Sequence, residues 1–247
     1  MSQKLFEINP DLDRKALAKQ FAVNKRIQIR DVLTRETAEE IRMILSKQTQ
    51  WGMAMKAGSD NPTGADQVRA EALKTQEGQQ QLQQLAQASH EAAAKGDYAF
   101  RYAHYSLVEA YLEKWNEGGP HDLILEYLNA EDFLQLVREV TGINELIKAD
   151  GQATLYAPQH FLAQHTDSHV GEGWRVAYVM NFAIDDWKPD WGGYLNFFDE
   201  DGDIIQGFKP RFNALNLFAV PQAHGVSYVP PFAPLGRLAI TGWLRDQ

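Results

Sequence analysis

The chain contains no cysteine. That absence excludes disulfides, thiolate metal sites, iron–sulfur clusters and a cysteine nucleophile. Positive charge is scarce as well: 24 Lys and Arg stand against 33 Asp and Glu, a net charge of −9. Nucleic acids and anionic membranes are bound through basic surfaces, so neither is an expected partner. No apolar run approaches the roughly 20 residues that span a bilayer. The first residues, MSQKLFEINPDLDRK, lack the charged-then-apolar layout of a signal peptide. A soluble, cytoplasmic protein is therefore expected. No stretch repeats another, and no credible Ser-His-Asp or paired-carboxylate arrangement stands out.

What the chain does have is material for a core: 247 residues, 44% hydrophobic and 11% aromatic. At that length roughly 70–75% of the unfolded surface is buried on folding, in one large domain or two small ones. After an amphipathic arm over 1–24, Arg26-Ile-Gln-Ile-Arg30 alternates polar and apolar residues as a short strand does. Thr34, Glu36 and Glu39 open a helix that carries Ile41, Ile44 and Leu45 on one face. Turn formers crowd 57–65 (AGSDNPTGA), which reads as a loop. Over 66–95 the good helix formers Gln, Ala, Glu and Leu dominate, with Leu82, Leu85 and Ala86 at helical spacing. An exposed helix is expected there rather than low-complexity disorder. Further helical blocks fall over 105–115 and 121–139, separated by Glu117-Gly-Gly-Pro120.

The texture changes after Gly142. Short β-branched and aromatic segments alternate with turn clusters: ATLYA, FLAQHTD, RVAYVMNFAI, GYLNFF, ALNLFAV, GVSYV and RLAITGWL. Strands at this spacing, with no helical pattern between them, indicate a sandwich or barrel rather than a parallel βαβ sheet. The expected fold is α+β, with helices over 1–141 supporting a β core over 142–247. The candidate chemistry sits almost entirely in that β half.

Three of seven histidines fall close together, at His160, His165 and His169. On a strand, residues two apart point the same way with Cα atoms about 6.6 Å apart, so His165 and Asp167 can meet on one metal ion. His169 would lie about 13 Å from His165 along an extended strand. Both ligate one ion only if the strand ends at Asp167, so a third ligand from another strand is expected. His224, between ALNLFAV and GVSYV, is the natural candidate. Two histidines and a carboxylate on one side of a metal suit non-haem Fe(II) oxygenases. The pieces are weak singly: an isolated His-x-Asp pair more often makes a surface hydrogen bond, and a lone histidine is more often satisfied locally. Arg237 begins the last strand, thirteen residues after His224. Its planar fork can hold a carboxylate by two charge-assisted hydrogen bonds.

From about Leu155 to Trp243 the sequence resembles the prolyl-hydroxylase-like 2-oxoglutarate and Fe(II)-dependent dioxygenases. The nearest likeness is to hypoxia-sensing prolyl hydroxylases and their bacterial and fungal relatives. The matching pieces are Tyr156, Phe161-Leu162, His165-Thr-Asp167, Arg175-Val-Ala-Tyr-Val-Met-Asn181, Trp191-Gly-Gly-Tyr-Leu195, Pro210-Arg-Phe-Asn-Ala-Leu215, Phe218, His224 and Arg237-Leu-Ala-Ile-Thr-Gly-Trp243. The resemblance implies a double-stranded β-helix, the jelly-roll type of sandwich, in a single catalytic domain over 1–247. It implies His165, Asp167 and His224 as iron ligands, and Arg237 as partner of the distal carboxylate of 2-oxoglutarate. Tyr156 would lend its hydroxyl to the cosubstrate, or be a buried strand aromatic. Leu195, Phe218 and Thr241 would line its pocket, or be plain core. Trp243 is expected to pack the floor of the site. Fe(II), 2-oxoglutarate and ascorbate are the implied cofactors, and a prolyl side chain in a protein or peptide is the implied substrate. Trp174, Arg175 and the 185–191 loop are candidate rim residues, and 51–100 a candidate substrate-selecting surface.

One departure is visible. The hypoxia-sensing relatives carry a second cosubstrate-contacting tyrosine where this chain has Val179, with Tyr178 one place away on the opposite strand face. The 225–236 interval is also long, with Pro230, Pro231 and Pro234, and should form a bulging loop. Three other readings stay open: an oxygenase acting on a free small molecule, a Zn²⁺ hydrolase with the same ligands, and a non-catalytic jelly-roll binding module.

Overall fold

The computed structural model describes residues 6–58, 66–167, 171 and 173–247. The chain runs α1 (Arg14–Asn24), β1 (Arg26–Arg30), α2 (Arg35–Lys47), β2 (Gly52–Ala57), β3 (Asp66–Val68), α3 (Gln76–Ala94), β4 (Ala99–Ser106), α4 (Leu107–Leu112), α5 (Pro120–Leu128) and α6 (Glu131–Thr141). The second half is mainly strand, with a 3₁₀ turn at Pro189–Trp191: β5 (Lys148–Ala149), β6 (Gln152–Tyr156), β7 (Phe161–Thr166), β8 (Trp174–Phe182), β9 (Leu195–Phe198), β10 (Ile204–Phe208), β11 (Phe212–Ala219), β12 (Ala223–Val226) and β13 (Arg237–Arg245).

The strands join in the order β1-β11-β8-β13-β6-β4-β7-β12-β9-β10, with β2 and β3 added beside β4 and β5 beside β13. The pairings are antiparallel throughout this path. The sheet curls into a near-barrel, the double-stranded β-helix. β4 spans its two layers: Ala103–Ser106 pair with β6, while Phe100 and Arg101 pair with β7.

Strand periodicity sorts the core into two compartments. On β8, Val176, Tyr178, Met180 and Phe182 face a large core shared with the helices. Ala177 and Val179, on the other face, join Leu195, Phe197, Phe208, Phe218 and Ala239 inside the curl. The helices are there because their apolar faces need that outer surface of the sheet. α2 buries Ala38, Ile41, Ile44 and Leu45; α6 buries Phe133, Leu134, Leu136, Val137 and Val140 and stops at Gly142, whose φ of 74° is the left-handed cap. Members of this core come from both halves of the chain.

Several sequence expectations need adjustment. The block over 105–115 is not one helix: β4 runs to Ser106 and α4 starts at Leu107. The block over 121–139 divides at Asn129 and Ala130 into α5 and α6. The 66–95 stretch opens with a short strand before its helix, which does lay Leu82, Leu85 and Ala86 on the β2–β4 layer. β10 went unread. The 57–65 loop and His169 fall largely or wholly outside the described residues.

Candidate active site

His165 lies one residue before the end of β7 and His224 lies within β12, as cross-strand partners. His224 therefore sits on a strand rather than between two, and its strand is Ala223–Val226, not GVSYV. β7 ends at Thr166, so Asp167 is free to turn inward beside the imidazoles. His165 Nε2 lies 3.6 Å from Asp167 Oδ1, and His224 Nε2 lies 3.6 Å from Asp167 Oδ2. One ligand atom from each of the three residues lies within 4.8 Å of the others, a group that could hold a metal ion.

Backbone carbonyls set the tautomers. His165 Nδ1 is 3.0 Å from Ala163 O and His224 Nδ1 is 2.8 Å from Gln222 O. A carbonyl only accepts, so each Nδ1 carries the proton and each Nε2 turns a lone pair inward. Burial, then the charge of His165, bring His224 down to about 4, which keeps it neutral and able to ligate at physiological pH. Burial pushes the Asp167 carboxyl up, but the two imidazoles and the Trp243 indole outweigh it and hold it below its usual value. The donor set is thus two imidazoles, His224 among them held neutral, and an ionised carboxylate.

The three side chains open into a cavity of about 590 Å³. Arg237 lines it too, and is only 1% exposed. Its Nε donates to Asn181 Oδ1 at 3.0 Å and its Nη1 to Gly193 O at 3.1 Å. The guanidinium also sits 5.4 Å from the Tyr156 ring centroid. Among the described residues it faces no carboxylate, and burial lowers it to about 10. Gly193 makes the Arg237 contact available: its φ of +69° is one that L side chains rarely adopt.

Tyr156, Leu195, Phe218, Thr241 and Val179 all line the cavity. Tyr178 packs mainly in the helix-side core and donates to Asp150 O at 2.7 Å, though it too touches the cavity. Trp174 lines the cavity, whereas Arg175 pairs with Asp246 at 2.5 Å and none of 185–191 reaches the lining. Trp243 does more than pack: its indole donates to Asp167 Oδ2 at 2.9 Å.

The residues missed are those of β4 and its approach. Tyr98 stands 5.6 Å from the His165 ring, Tyr102 stacks on Tyr156 at 5.1 Å, and both line the cavity with His104. Burial raises Tyr102 to about 12 and lowers His104 to about 4. Both therefore stay neutral. The alternation Tyr98, Phe100, Tyr102, His104 was the available strand signal.

Residues 151–245 match the model of the 2OG-Fe(II) oxygenase superfamily. No curated protein matches the chain by sequence. Among solved structures, a prolyl-4-hydroxylase from Pseudomonas putida is similar, with a TM-score of 0.57 and 17% identity over 95% of this chain and 99% of that one. A prolyl hydroxylase from Trichoplax adhaerens, in complex with a hypoxia-inducible-factor oxygen degradation domain peptide, has a TM-score of 0.59 and 14% identity over 94% and 89%. The non-haem α-ketoglutarate-dependent epimerase SnoN of nogalamycin biosynthesis has a TM-score of 0.53 and 10% identity over 94% and 82%. At these identities the structures speak for the fold, and the family model speaks for the stretch that carries the whole His-Asp-His group and Arg237. Residues 151–245 thus resemble the 2OG-Fe(II) oxygenase superfamily, and the chain shares its fold with the prolyl hydroxylase and epimerase structures.

Proposed function

We propose that this protein hydroxylates a C–H bond of a prolyl residue in a protein or peptide, using Fe(II) and 2-oxoglutarate. His165, Asp167 and His224 are the iron ligands, Arg237 receives the distal carboxylate of 2-oxoglutarate, and Tyr156, Thr241 and Leu195 line that pocket. The whole chain, 1–247, acts as one catalytic domain in the cytoplasm, with ascorbate as its accessory reductant. The observation that carries the reading is one cavity holding a three-ligand metal group and a buried cation with no carboxylate partner among the described residues.

The residues fit the absent groups. The Nε2 lone pairs face inward, and Arg237 is a buried positive charge waiting for an anion. When bound, iron and 2-oxoglutarate supply the oxidising chemistry by activating dioxygen and releasing succinate and carbon dioxide. The chain's part is placement. His165, Asp167 and His224 would hold the ion, and Arg237 would fix the far end of the cosubstrate. Tyr156, Tyr102, Val179 and Phe218 form a water-poor wall. No side chain need act as a nucleophile or tuned base.

The peptide reading is supported by the shape of the cavity. It shares Gln67, His104, Ser106 and Glu109 with a second cavity of about 550 Å³. That is more room than a cosubstrate and one amino acid need, and it suits an extended chain. The decisive experiment is anaerobic titration with Fe(II) and 2-oxoglutarate, followed by succinate assay in air. A visible metal-to-ligand charge-transfer band and succinate release are expected; iron binding with neither would refute the reading. Mass spectrometry of proline-containing peptides against free proline then tests the substrate. Turnover of free proline alone would move the assignment to a small-molecule oxygenase.

A further inference from the structure

The hydrogen bond from Trp243 to Asp167 has a consequence for the metal site. Both carboxylate oxygens face a histidine Nε2 at 3.6 Å. That symmetry gives a cation no reason to prefer one oxygen over both, and carboxylates bind metals either way. The indole breaks the symmetry. Its N–H, 2.9 Å from Oδ2, engages a lone pair there and leaves Oδ1 the more basic oxygen.

The indole is itself fixed by a closed set of contacts. Its ring stacks on Trp174 with centroids 4.0 Å apart and planes 16° apart. Arg245 Cζ lies 5.5 Å from the Trp174 ring centroid, and Arg245 Nη2 donates to Asp150 Oδ2 at 2.6 Å. Asp150 Oδ1 accepts the backbone N–H of Trp243 at 2.7 Å, which returns the chain of contacts to its start. Gly242 permits this, because a Cβ there would stand 2.4 Å from Asp150 O and 2.6 Å from its Oδ1. A ring held at backbone and face alike cannot swing with the carboxylate; the carboxylate must align to the ring.

We infer that Trp243 is a positioning residue that holds Asp167 to the metal through a single oxygen, so that three metal positions stay open. A carboxylate released from the indole can turn and take a fourth position, in competition with a chelating cosubstrate. The inference rests on the iron-site reading above.

The test removes the donor and keeps the shape. Trp243→Phe retains a ring against Trp174 without the N–H. Site-specific replacement of Trp243 by its benzothienyl analogue, with sulfur in place of N–H, retains the full bicycle. Each protein is titrated anaerobically with Co(II), then with 2-oxoglutarate, while the cobalt d–d bands report coordination number. Both variants should still bind Co(II), with altered bands, and should bind 2-oxoglutarate more weakly by about 10-fold or more, a loss on the scale of the roughly 10–100-fold in metal affinity or activity that follows removal of a partner of a metal ligand. Native bands together with native 2-oxoglutarate affinity in the analogue-bearing protein overturn the inference, whether or not the Phe variant folds. Failure of the unaltered protein to bind Co(II) and 2-oxoglutarate would instead sink the iron-site reading, so the two failures are distinguishable.

Discussion

On the proposed function, replacing Arg237 by methionine should separate cosubstrate binding from metal binding. The side chain is 1% exposed, donates to Asn181 and Gly193, and meets no carboxylate among the described residues. A buried ion left without a counter-charge costs several kcal/mol even after relaxation, and an incoming carboxylate recovers part of that cost. Methionine keeps length and apolar bulk and deletes the charge. Truncating one member of a buried, hydrogen-bonded charge pair costs about 2–5 kcal/mol, so the Kd for 2-oxoglutarate should rise from about 30-fold to several thousand-fold. Arg237 makes no hydrogen bond to His165, Asp167 or His224, so Mn(II) affinity should stay within about threefold, under 1 kcal/mol. Isothermal titration of the Arg237→Met protein with Mn(II), then with 2-oxoglutarate, reads both numbers in one series. Loss of the buried charge offsets the donors taken from Asn181 and Gly193, so the variant should fold, as circular dichroism will show. Native 2-oxoglutarate affinity would refute the argument, and so would a parallel loss of Mn(II).

Other expectations follow from single contacts. Asp167→Ala leaves two imidazoles and no carboxylate, and should abolish both metal retention on equilibrium dialysis and succinate formation; a variant that keeps its metal would remove Asp167 from the ligand set. Gly242→Ala drives a Cβ into Asp150 and should lower stability by about 1–3 kcal/mol, as overpacking does, measured by urea unfolding; an unchanged midpoint would mean that the β13–Asp150 contact is loose. Burial, above all, brings His160 down to about 4, whereas the unfolded imidazole protonates near 6.5. Protons therefore favour the unfolded chain as pH falls below about 6.5, and the loss reaches about 3 kcal/mol by pH 4. The thermal midpoint should decline across that window, less steeply in His160→Gln; identical slopes would assign the decline to other groups.

The β half was legible because its strands are buried on both faces and punctuated by turns. β13 shows it best: Arg237, Thr241 and Trp243 share the parity that meets the cavity, while Leu238, Ile240 and Leu244 meet the helix-side core. β4 was not legible, because strand and helix signals overlap where it ends. Tyr105, Val108 and Tyr111 fit helical spacing, yet Tyr105 belongs to the strand. The boundary had a local signal that went unused. Ser106-Leu-Val-Glu109 has the form of a capping box, and the Ser106 hydroxyl does accept from Glu109 N at 3.1 Å. The break inside 121–139 had a weaker one, Asn129 followed by Glu131 and Asp132 in the next first turn. Asn129 then spends its amide on Ala149, bonding both its N and its O, a partner that no local pattern names.

The same distinction divides the site. His165 and Asp167 are two residues apart, and His224 and Arg237 mark strands readable in themselves, so four side chains could be picked from the sequence. Tyr98, Tyr102 and His104 could not, because they reach the cavity only through the insertion of β4 between β6 and β7, a pairing between residues far apart in the sequence, such as Phe100 with Leu162. Trp243 was legible as a residue and not as a donor, since a side chain's parity is set by its strand but the aim of an indole N–H is set by what packs on its face. Here that is Trp174, brought alongside by the β8–β13 register, in which Arg245 pairs with Trp174 after a shift beyond Leu244. A one-residue slip of β13 would turn Arg237, Thr241 and Trp243 out of the cavity together. The register is therefore itself part of the site: it must be held by groups outside the His-Asp-His group, and the bonds of Asp150 to Trp243 and Arg245 are where β13 is tied.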